Sequence, residues 1–333
     1  MADYKNIKGF NIQYLDSDPP NPIEGQMWFN STTQTLKGAE AGIATWASGG
    51  NLNTLRNSQA GFGTPTAAVS AGGDTAPGAR ITATEEYNGT SWTSVNPLGT
   101  ARQAGGATGT QTAGIMAGGR SAPTPPAPAN AVLNNVETYD GTNWTEVAEI
   151  NTARFINETV GLQTNAITIG GTIGTAVVGN NEEWNGTSWT EVNDLNTARS
   201  KLAGGGTVSS GMVFGGDNGT AFGGFSETYN GSSWTTVTSM NTGRASVMGS
   251  GSSSSSAVVF GGDTPPYVGN TETWDGSSWT ETTDMTTGRG LGGSTKGDST
   301  AALAIGGSNA GGRTLATEEY VLPEYVVKTF TTS

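Results

Sequence analysis

Six arginines and six glutamates stand at matched places along this chain. Arg56, Arg102, Arg154, Arg199, Arg244 and Arg289 each open a unit, and Glu85, Glu137, Glu182, Glu227, Glu272 and Glu318 each lie two residues before an aromatic ring. Two chemistries suit such a set. The charges could form a ring around a channel, or each planar guanidinium could satisfy a carboxylate or exposed carbonyls. A catalytic site needs asymmetry, and this pattern is the same in every unit, so the expectation is structural pairing.

The chain has no histidine and no cysteine. Disulfides, Cys/His zinc sites and histidine ligation of copper or haem are therefore excluded, as are a Ser-His-Asp triad and a histidine general base. Any catalysis would rest on Asp, Glu, Tyr, Lys or Arg. Asp74, Asp217 and Asp263 each follow a Gly-Gly pair, but the oxygen-ligand spacing of a calcium loop is absent. No catalytic residue, metal or cofactor is expected. The formal net charge of −13 opposes binding to nucleic acid or an anionic membrane. The opening residues Met1 to Lys5 have no apolar core like that of a secretory signal, and no run approaches the length of a membrane span.

The elements that position these residues come from a repeat of about 45 residues, a period that with strand chemistry means a radial array of small sheets. Five copies carry Glu-x-(Tyr/Trp)-(Asn/Asp)-Gly-x-x-Trp-Thr, ending at Trp92, Trp144, Trp189, Trp234 and Trp279. The Asn-Gly and Asp-Gly pairs, such as Asn88-Gly89 and Asp140-Gly141, predict hairpins between a third strand and a fourth. Apolar runs ending in Gly72-Gly73, Gly118-Gly119, Gly170-Gly171, Gly215-Gly216, Gly261-Gly262 and Gly306-Gly307 predict buried strands, with the glycines packing backbones closely near the axis. The paired aromatics should fill the space between blades.

The last unit has Arg289, Gly306-Gly307 and Glu318 but no Trp, whereas Trp46 precedes Arg56 by ten residues, as Trp92 precedes Arg102. Trp46 is thus expected to supply the outer strand of the last blade. The prediction is an all-β, six-bladed propeller of four-stranded antiparallel blades, closed by the N-terminal strand near Trp46. The rival is closure by Tyr325 to Phe330. Domain boundaries are placed at 1–25 for an attachment arm, 26–45 for a hairpin, and 46–333 for the propeller.

These repeats resemble kelch-type propeller repeats over roughly residues 46–325, with a shorter turn between aromatic and Trp than the common kelch spacing. The resemblance implies a four-stranded blade and does not fix function. The stretch Asp18-Pro19-Pro20-Asn21-Pro22-Ile23-Glu24-Gly25-Gln26-Met27-Trp28-Phe29-Asn30-Ser31-Thr32-Thr33, followed by Thr35-Leu36-Lys37-Gly38, resembles segments of bacteriophage tail-fibre and other virion proteins. It reads as an extended Pro-rich lead-in and a hairpin pairing Trp28-Phe29 with Leu36-Lys37. Trp28 and Phe29 are the expected attachment residues. Residues 1–22, with Tyr4, Ile7, Phe10, Ile12, Tyr14 and Leu15, are expected to order against another subunit or the propeller.

The departures from the repeat are the candidate recognition loops. Pro123, Pro125 and Pro126 lie in a Pro-rich insertion that could recognise a partner or act as a stiff spacer. Phe222, Phe225 and Tyr267 place aromatics beside glycines, where they could stack on sugar rings or pack on a neighbouring blade. Ser250 to Ser256 reads as a flexible loop. The expectation is a non-enzymatic virion component, tail-fibre or tail-associated, present in multiple copies. Its arm would contact other virion proteins, and its propeller would face a host-surface saccharide or protein. The alternatives are a carbohydrate-active enzyme of kelch-like fold, for which no unique acidic pair is found, and a cellular kelch-like adaptor.

Overall fold

A computed structural model describes residues 12–20, 25–121, 131–323 and 325–330, and its regular elements are all strands. The first blade shows why the repeat folds as it does. Its strands are Ala60–Thr64, Ala67–Ala71, Thr84–Tyr87 and Trp92–Val95, hydrogen-bonded in that order and antiparallel throughout. The second strand is buried along nearly its whole length, and the outer strand is buried only at its Trp. A strand covered on both faces must be apolar, and Ala68-Val69-Ser70-Ala71 is the run that ends at Gly72-Gly73.

Blades two to five repeat this arrangement. The sixth consists of Gly293–Ser294, Ala301–Ile305, Thr317–Val321 and Thr45–Ser48, so the strand bearing Trp46 is the outer strand beside Thr317–Val321. Inner strands touch their neighbours around the whole circuit, the sixth meeting the first through Gly293–Ser294 and Ala60–Thr64. The rival closing strand, Tyr325–Phe330, pairs instead with Thr35–Ala41. The propeller therefore spans Trp46–Tyr320 and stops short of the expected boundary at 333.

The hairpin between third and outer strands is a four-residue loop. Asn88 N–H donates to Ser91 O at 3.3 Å, and Asn88 Oδ1 accepts from the N–H groups of Thr90 and Ser91. Asn88 thus acts as a side-chain cap, and Gly89, at φ 89°, supplies the left-handed step. The Gly-Gly pairs do not line the axis. They end second strands, and a Cβ on Gly72 would stand 2.5 Å from Arg102 O, in the turn to the next blade. Close approach at the axis falls to inner-strand residues such as Gly61, whose Cβ would meet Ser294 N at 2.5 Å. Ser250 and Ser256 belong to the strands Met248–Ser253 and Ser256–Phe260, and Ser250 is buried, so the expected flexible loop is mostly paired strand.

Both chain ends contribute to a second compact unit, Met1–Thr45 with Val321–Ser333. Its sheet runs Ile12–Leu15, Met27–Asn30, Thr35–Ala41, Tyr325–Phe330, the first pair parallel and the others antiparallel. The hairpin register is the expected one, Trp28 opposite Lys37 and Phe29 opposite Leu36. Tyr4, Ile7 and Phe10 of the expected arm lie outside the described residues, whereas Ile12, Tyr14 and Leu15 form a strand. No described helix is long and apolar enough to cross a membrane.

Candidate functional site

Every blade is entered through a (Leu/Ile/Met)-x-Thr-x-Arg turn or its close variant, and the repeated charges hold that turn in place. Arg56 reaches Glu85 at 2.8 Å, Arg102 reaches Glu137 at 3.0 Å, Arg154 reaches Glu182 at 2.8 Å and Arg244 reaches Glu272 at 2.5 Å. Arg199 pairs with Glu227 and Arg289 with Glu318 in the same way. All six arginines are fully buried. The carboxylate also accepts from the turn itself: Glu85 takes the N–H groups of Asn53 and Thr54, and Glu182 those of Asn151 and Thr152. The guanidinium in turn donates to strand carbonyls, as Arg56 does to Ala83 O at 2.7 Å. Burial pulls the Arg56 guanidinium down to about 10, with Glu85 opposing the shift, so it stays charged at neutral pH. The six glutamates are thus engaged in the frame.

Two residues beyond each arginine the chain makes an unusual step. Ser58, Ala104, Ile156, Lys201, Ser246 and Leu291 all have φ between 53° and 57°. For residues with a Cβ this conformation costs on the order of 1–3 kcal/mol each. Hydrogen bonds across the blades offset that cost. Ala104 N–H donates to Ser58 O at 2.7 Å, Ile156 to Ala104 O at 2.6 Å and Lys201 to Ile156 O at 3.2 Å. Leu291 donates to Ser246 O at 3.2 Å and Ser58 to Leu291 O at 2.7 Å. These backbone links join five of the six pairs of adjacent blades, and the left-handed residues line a central cavity of about 140 Å³, to which all six blades contribute.

Symmetry breaks inside this cavity. The first residue of the inner strand is Ala60, Gly106, Ala203, Met248 or Gly293 in five blades, and Glu158 in the third. Three residues beyond the first residue of the inner strand the sixth blade has Lys296, where the other five have Gly63, Gly109, Gly161, Gly206 and Gly251. Blades three and six lie on opposite sides of the axis, and Lys296 Nζ crosses to Glu158 Oε1 at 3.0 Å. Both side chains are nearly buried. Burial pushes the Glu158 carboxyl up, against the pull of Lys296 and of the N–H groups of Thr159 and Gly204. Reading the repeats as uniform missed both residues; the off-pattern Glu158 and Lys296 were the available signal.

A second feature missed in the sequence is a matching between blades that holds at five of the six interfaces, the exception being Tyr320, whose preceding blade carries Thr273. Tyr87, Tyr139 and Tyr229 donate to Glu319, Glu86 and Glu183 of the preceding blade at 2.6, 2.8 and 2.9 Å. Burial and the facing carboxylate push all three phenols up. Where the preceding blade has Thr138 or Thr228 instead, the ring is Trp184 or Trp274, whose indole N–H donates to a backbone carbonyl. The expected aromatic filling is present: apolar clusters span adjacent blades, and Tyr87 and Trp92 lie 5.0 Å apart between ring centroids.

The other expected site residues fall as follows. Trp92, Trp144, Trp189, Trp234 and Trp279 pack between blades. Pro123, Pro125 and Pro126 lie outside the described residues. Phe222 and Phe225 are half-buried, Phe222 beneath Lys201 Nζ at 5.0 Å and Phe225 beside the Arg199 guanidinium at 5.9 Å. Tyr267 is half-buried and hydrogen-bonded to Ser308, and burial raises its phenol. These rings pack on their own scaffold and are not free loop tips. Trp28 is fully buried, with its indole N–H held by Asp18 Oδ1 at 3.0 Å, so it forms part of the hairpin's core and offers no exposed attachment surface. Phe29 stacks on Tyr14 at 5.2 Å. Asp74 pairs with Arg313 at 2.5 Å and Asp217 with Lys201 at 2.9 Å. No group of three or more potential metal ligands occurs among the described residues.

No protein-family model matches this chain, and no curated protein does. Solved structures do match. One, described as the structure of YjhT, superposes with a TM-score of 0.68 at 14% identity, covering 84% of this chain and 99% of that one. At that identity the likeness is one of fold alone.

Proposed function

We propose that the protein is a non-enzymatic component of a bacteriophage particle, tail-fibre or tail-associated. The small terminal sheet attaches it to neighbouring virion proteins, and the propeller is displayed toward the host surface. The observation that carries this reading is the terminal sheet itself. It is a compact unit of its own, built from strands on both sides of the propeller's sequence, and it leaves Tyr14, Val326, Val327 and Phe330 exposed. Large apolar side chains exposed at both edges of so small a sheet mark a contact surface. The segment resembling virion proteins, Asp18 to Gly38, builds its central hairpin. The propeller supports the non-enzymatic part, because its repeated carboxylates are engaged in buried ion pairs that hold the frame.

The test is a purified particle. Mass spectrometry should find this polypeptide at stoichiometric abundance, and antibody-labelled electron microscopy should place it on the tail. Replacing Tyr14, Val327 and Phe330 together by Ser should leave a folded protein absent from particles. Particles that lack the wild-type chain, or that incorporate the triple variant normally, overturn the reading.

A further inference from the structure

The loops joining second to third strands are unevenly charged around the propeller. The residue after each Gly-Gly pair is Asp74, Arg120, Thr172, Asp217, Asp263 or Ser308, so blade two alone sets a cation there. Arg80, in the loop of blade one, is paired backbone to backbone with Asp74, as Arg120 is with Gln103. Arg313 reaches across from blade six and donates to Asp74 Oδ1 through Nε at 3.0 Å and Nη2 at 2.5 Å. Arg120 lies over the Phe155 ring at 4.9 Å. Arg120 and Asp74 are the charges that bear on Arg80, the first against its guanidinium and the second in its favour. Among the described residues, three guanidiniums gather about one carboxylate, a local charge of +2 on a chain whose net charge is −13.

Within this group Arg80 is left short of acceptors. Its Nε and Nη1 are buried without a hydrogen-bond partner, and the carboxylate beside it is already engaged by Arg313. A charged donor stripped of water and given no acceptor is costly, so the sector calls for an anion with several oxygens. A carboxylate brings two oxygens and a single charge. A phosphate monoester brings three oxygens and about two charges at neutral pH, which matches the local excess, and guanidiniums bind it fork to fork. The acidity of the remaining chain repels a polyanion, so one phosphate group suits the sector and nucleic acid does not. We propose that Arg80, Arg120 and Arg313 bind one phosphate dianion, free or as the end group of a phosphorylated sugar. The Arg80 guanidinium swings from its buried position onto the ligand. The three arginines belong to the propeller, and the site does not depend on the particle in which the protein is carried.

The experiment titrates the purified full-length chain at neutral pH and low salt with inorganic phosphate and with glucose 6-phosphate, using acetate and glucose as controls, and follows binding by calorimetry and phosphorus NMR. The expected result is saturable one-to-one binding of phosphate with Kd on the order of 1 mM or tighter, weakening as salt is added. Tighter binding of glucose 6-phosphate assigns the site to a phosphorylated sugar, and tighter binding of inorganic phosphate assigns it to the free ion. Arg80→Gln should weaken binding about tenfold. It gives up no hydrogen bond from Nε or Nη1 and should leave the thermal midpoint no lower than that of wild type. Lys201→Gln, at a cation already paired with Asp217 at 2.9 Å, should bind as wild type does. The proposal is overturned if neither phosphate saturates or if acetate binds as tightly. It is equally overturned if folded Arg80→Gln retains full binding, or if Lys201→Gln weakens binding as much as Arg80→Gln.

Discussion

Trp46 Nε1 donates to Thr271 Oγ1 at 3.2 Å across 225 residues of chain, and Trp92 Nε1 donates to Thr317 Oγ1 at 3.0 Å across the same separation. The equality has a structural cause. Four of the six outer-strand Trp residues reach the first residue of the third strand in the preceding blade, so Trp144 finds Thr84 and Trp279 finds Ser226, whereas Trp189 donates to Ala148 O. Trp46 makes the bond of a sixth-blade Trp, and its ring lies 5.2 Å from Tyr320 and 5.0 Å from Phe260. The fifth-to-sixth interface is thus held by a residue from the start of the propeller's sequence.

Trp46→Ala should therefore destabilise the propeller by about 2–4 kcal/mol, the lower part of the range for losing a packed aromatic because Trp46 is only half-buried. Ile43→Ala, at a residue 74% exposed, should change stability by less than about 0.5 kcal/mol. Urea unfolding followed by Trp fluorescence measures both. Equal effects would mean that Trp46 does not seal the ring.

Much of this was readable from spacing, because a propeller repeats its solutions. The Glu, the third-strand ring and the outer-strand Trp recur at fixed offsets, and the orphan Trp46 at ten residues before Arg56 identified the closing strand. The inner strands were harder to see. Ala60-Gly61-Phe62-Gly63-Thr64 and Ala203-Gly204-Gly205-Gly206-Thr207 carry little hydrophobic signal, since crowding at the axis selects glycine over bulk. The cavity was hidden for the opposite reason. Glu158 and Lys296 are 138 residues apart and meet only because their blades oppose each other. The loop aromatics misled because Phe222 and Tyr267 look exposed when flanked by glycine and proline, yet Lys201 and Ser308 fold against them.

The buried ion pairs predict an asymmetric response. Glu182→Leu leaves the Arg154 guanidinium charged and buried and frees the N–H groups of Asn151 and Thr152. It should cost about 3–5 kcal/mol. Arg154→Met in the same chain removes the stranded charge and should recover part of that loss, but not the two turn hydrogen bonds. Chemical denaturation of the two single variants and the double completes the cycle. A double variant as unstable as the sum of the singles would show that the pair is not coupled.

The matching of rings to carboxylates between blades predicts a compensating exchange. Tyr139→Trp alone removes the hydroxyl that Glu86 accepts at 2.8 Å and confronts a carboxylate with an indole. Combined with Glu86→Thr, it recreates the pairing of Trp184 with Thr138. The double variant should be more stable than Tyr139→Trp, with a coupling of about 0.5–3 kcal/mol measured by a double-mutant cycle. Simple additivity would mean that the tyrosines and glutamates co-occur without consequence.

Asp18 and Glu158 should give pH profiles of opposite sign. Asp18 is lowered from 3.8 to about 2, chiefly by its bond from Lys37 and then by those from Trp28 and Asn30. A carboxyl lowered on folding stabilises above its unfolded value and loses that contribution as pH falls toward about 2. Because its side chain is 37% exposed, the effect should be only about 1 kcal/mol after screening. Asp18→Asn should thus be weaker than wild type at neutral pH and converge with it near the acid limit. Glu158 is raised from its ordinary 4.5 by burial, so the folded propeller prefers its protonated form. Its contribution is complete below about 4.5 and declines as pH rises through the elevated folded value. Glu158→Gln carries no such titration. Wild type should therefore lose stability relative to Glu158→Gln as pH increases from 4 to 8, while its margin over Asp18→Asn is lost on going from 4 to 2 (roughly the windows these shifts define). Thermal unfolding of the three proteins across that range separates the groups. If Glu158→Gln and wild type ran parallel throughout, the Lys296 ammonium would be balancing the burial of Glu158 completely, and the axial carboxylate would be as readily ionised in the folded protein as in the unfolded chain.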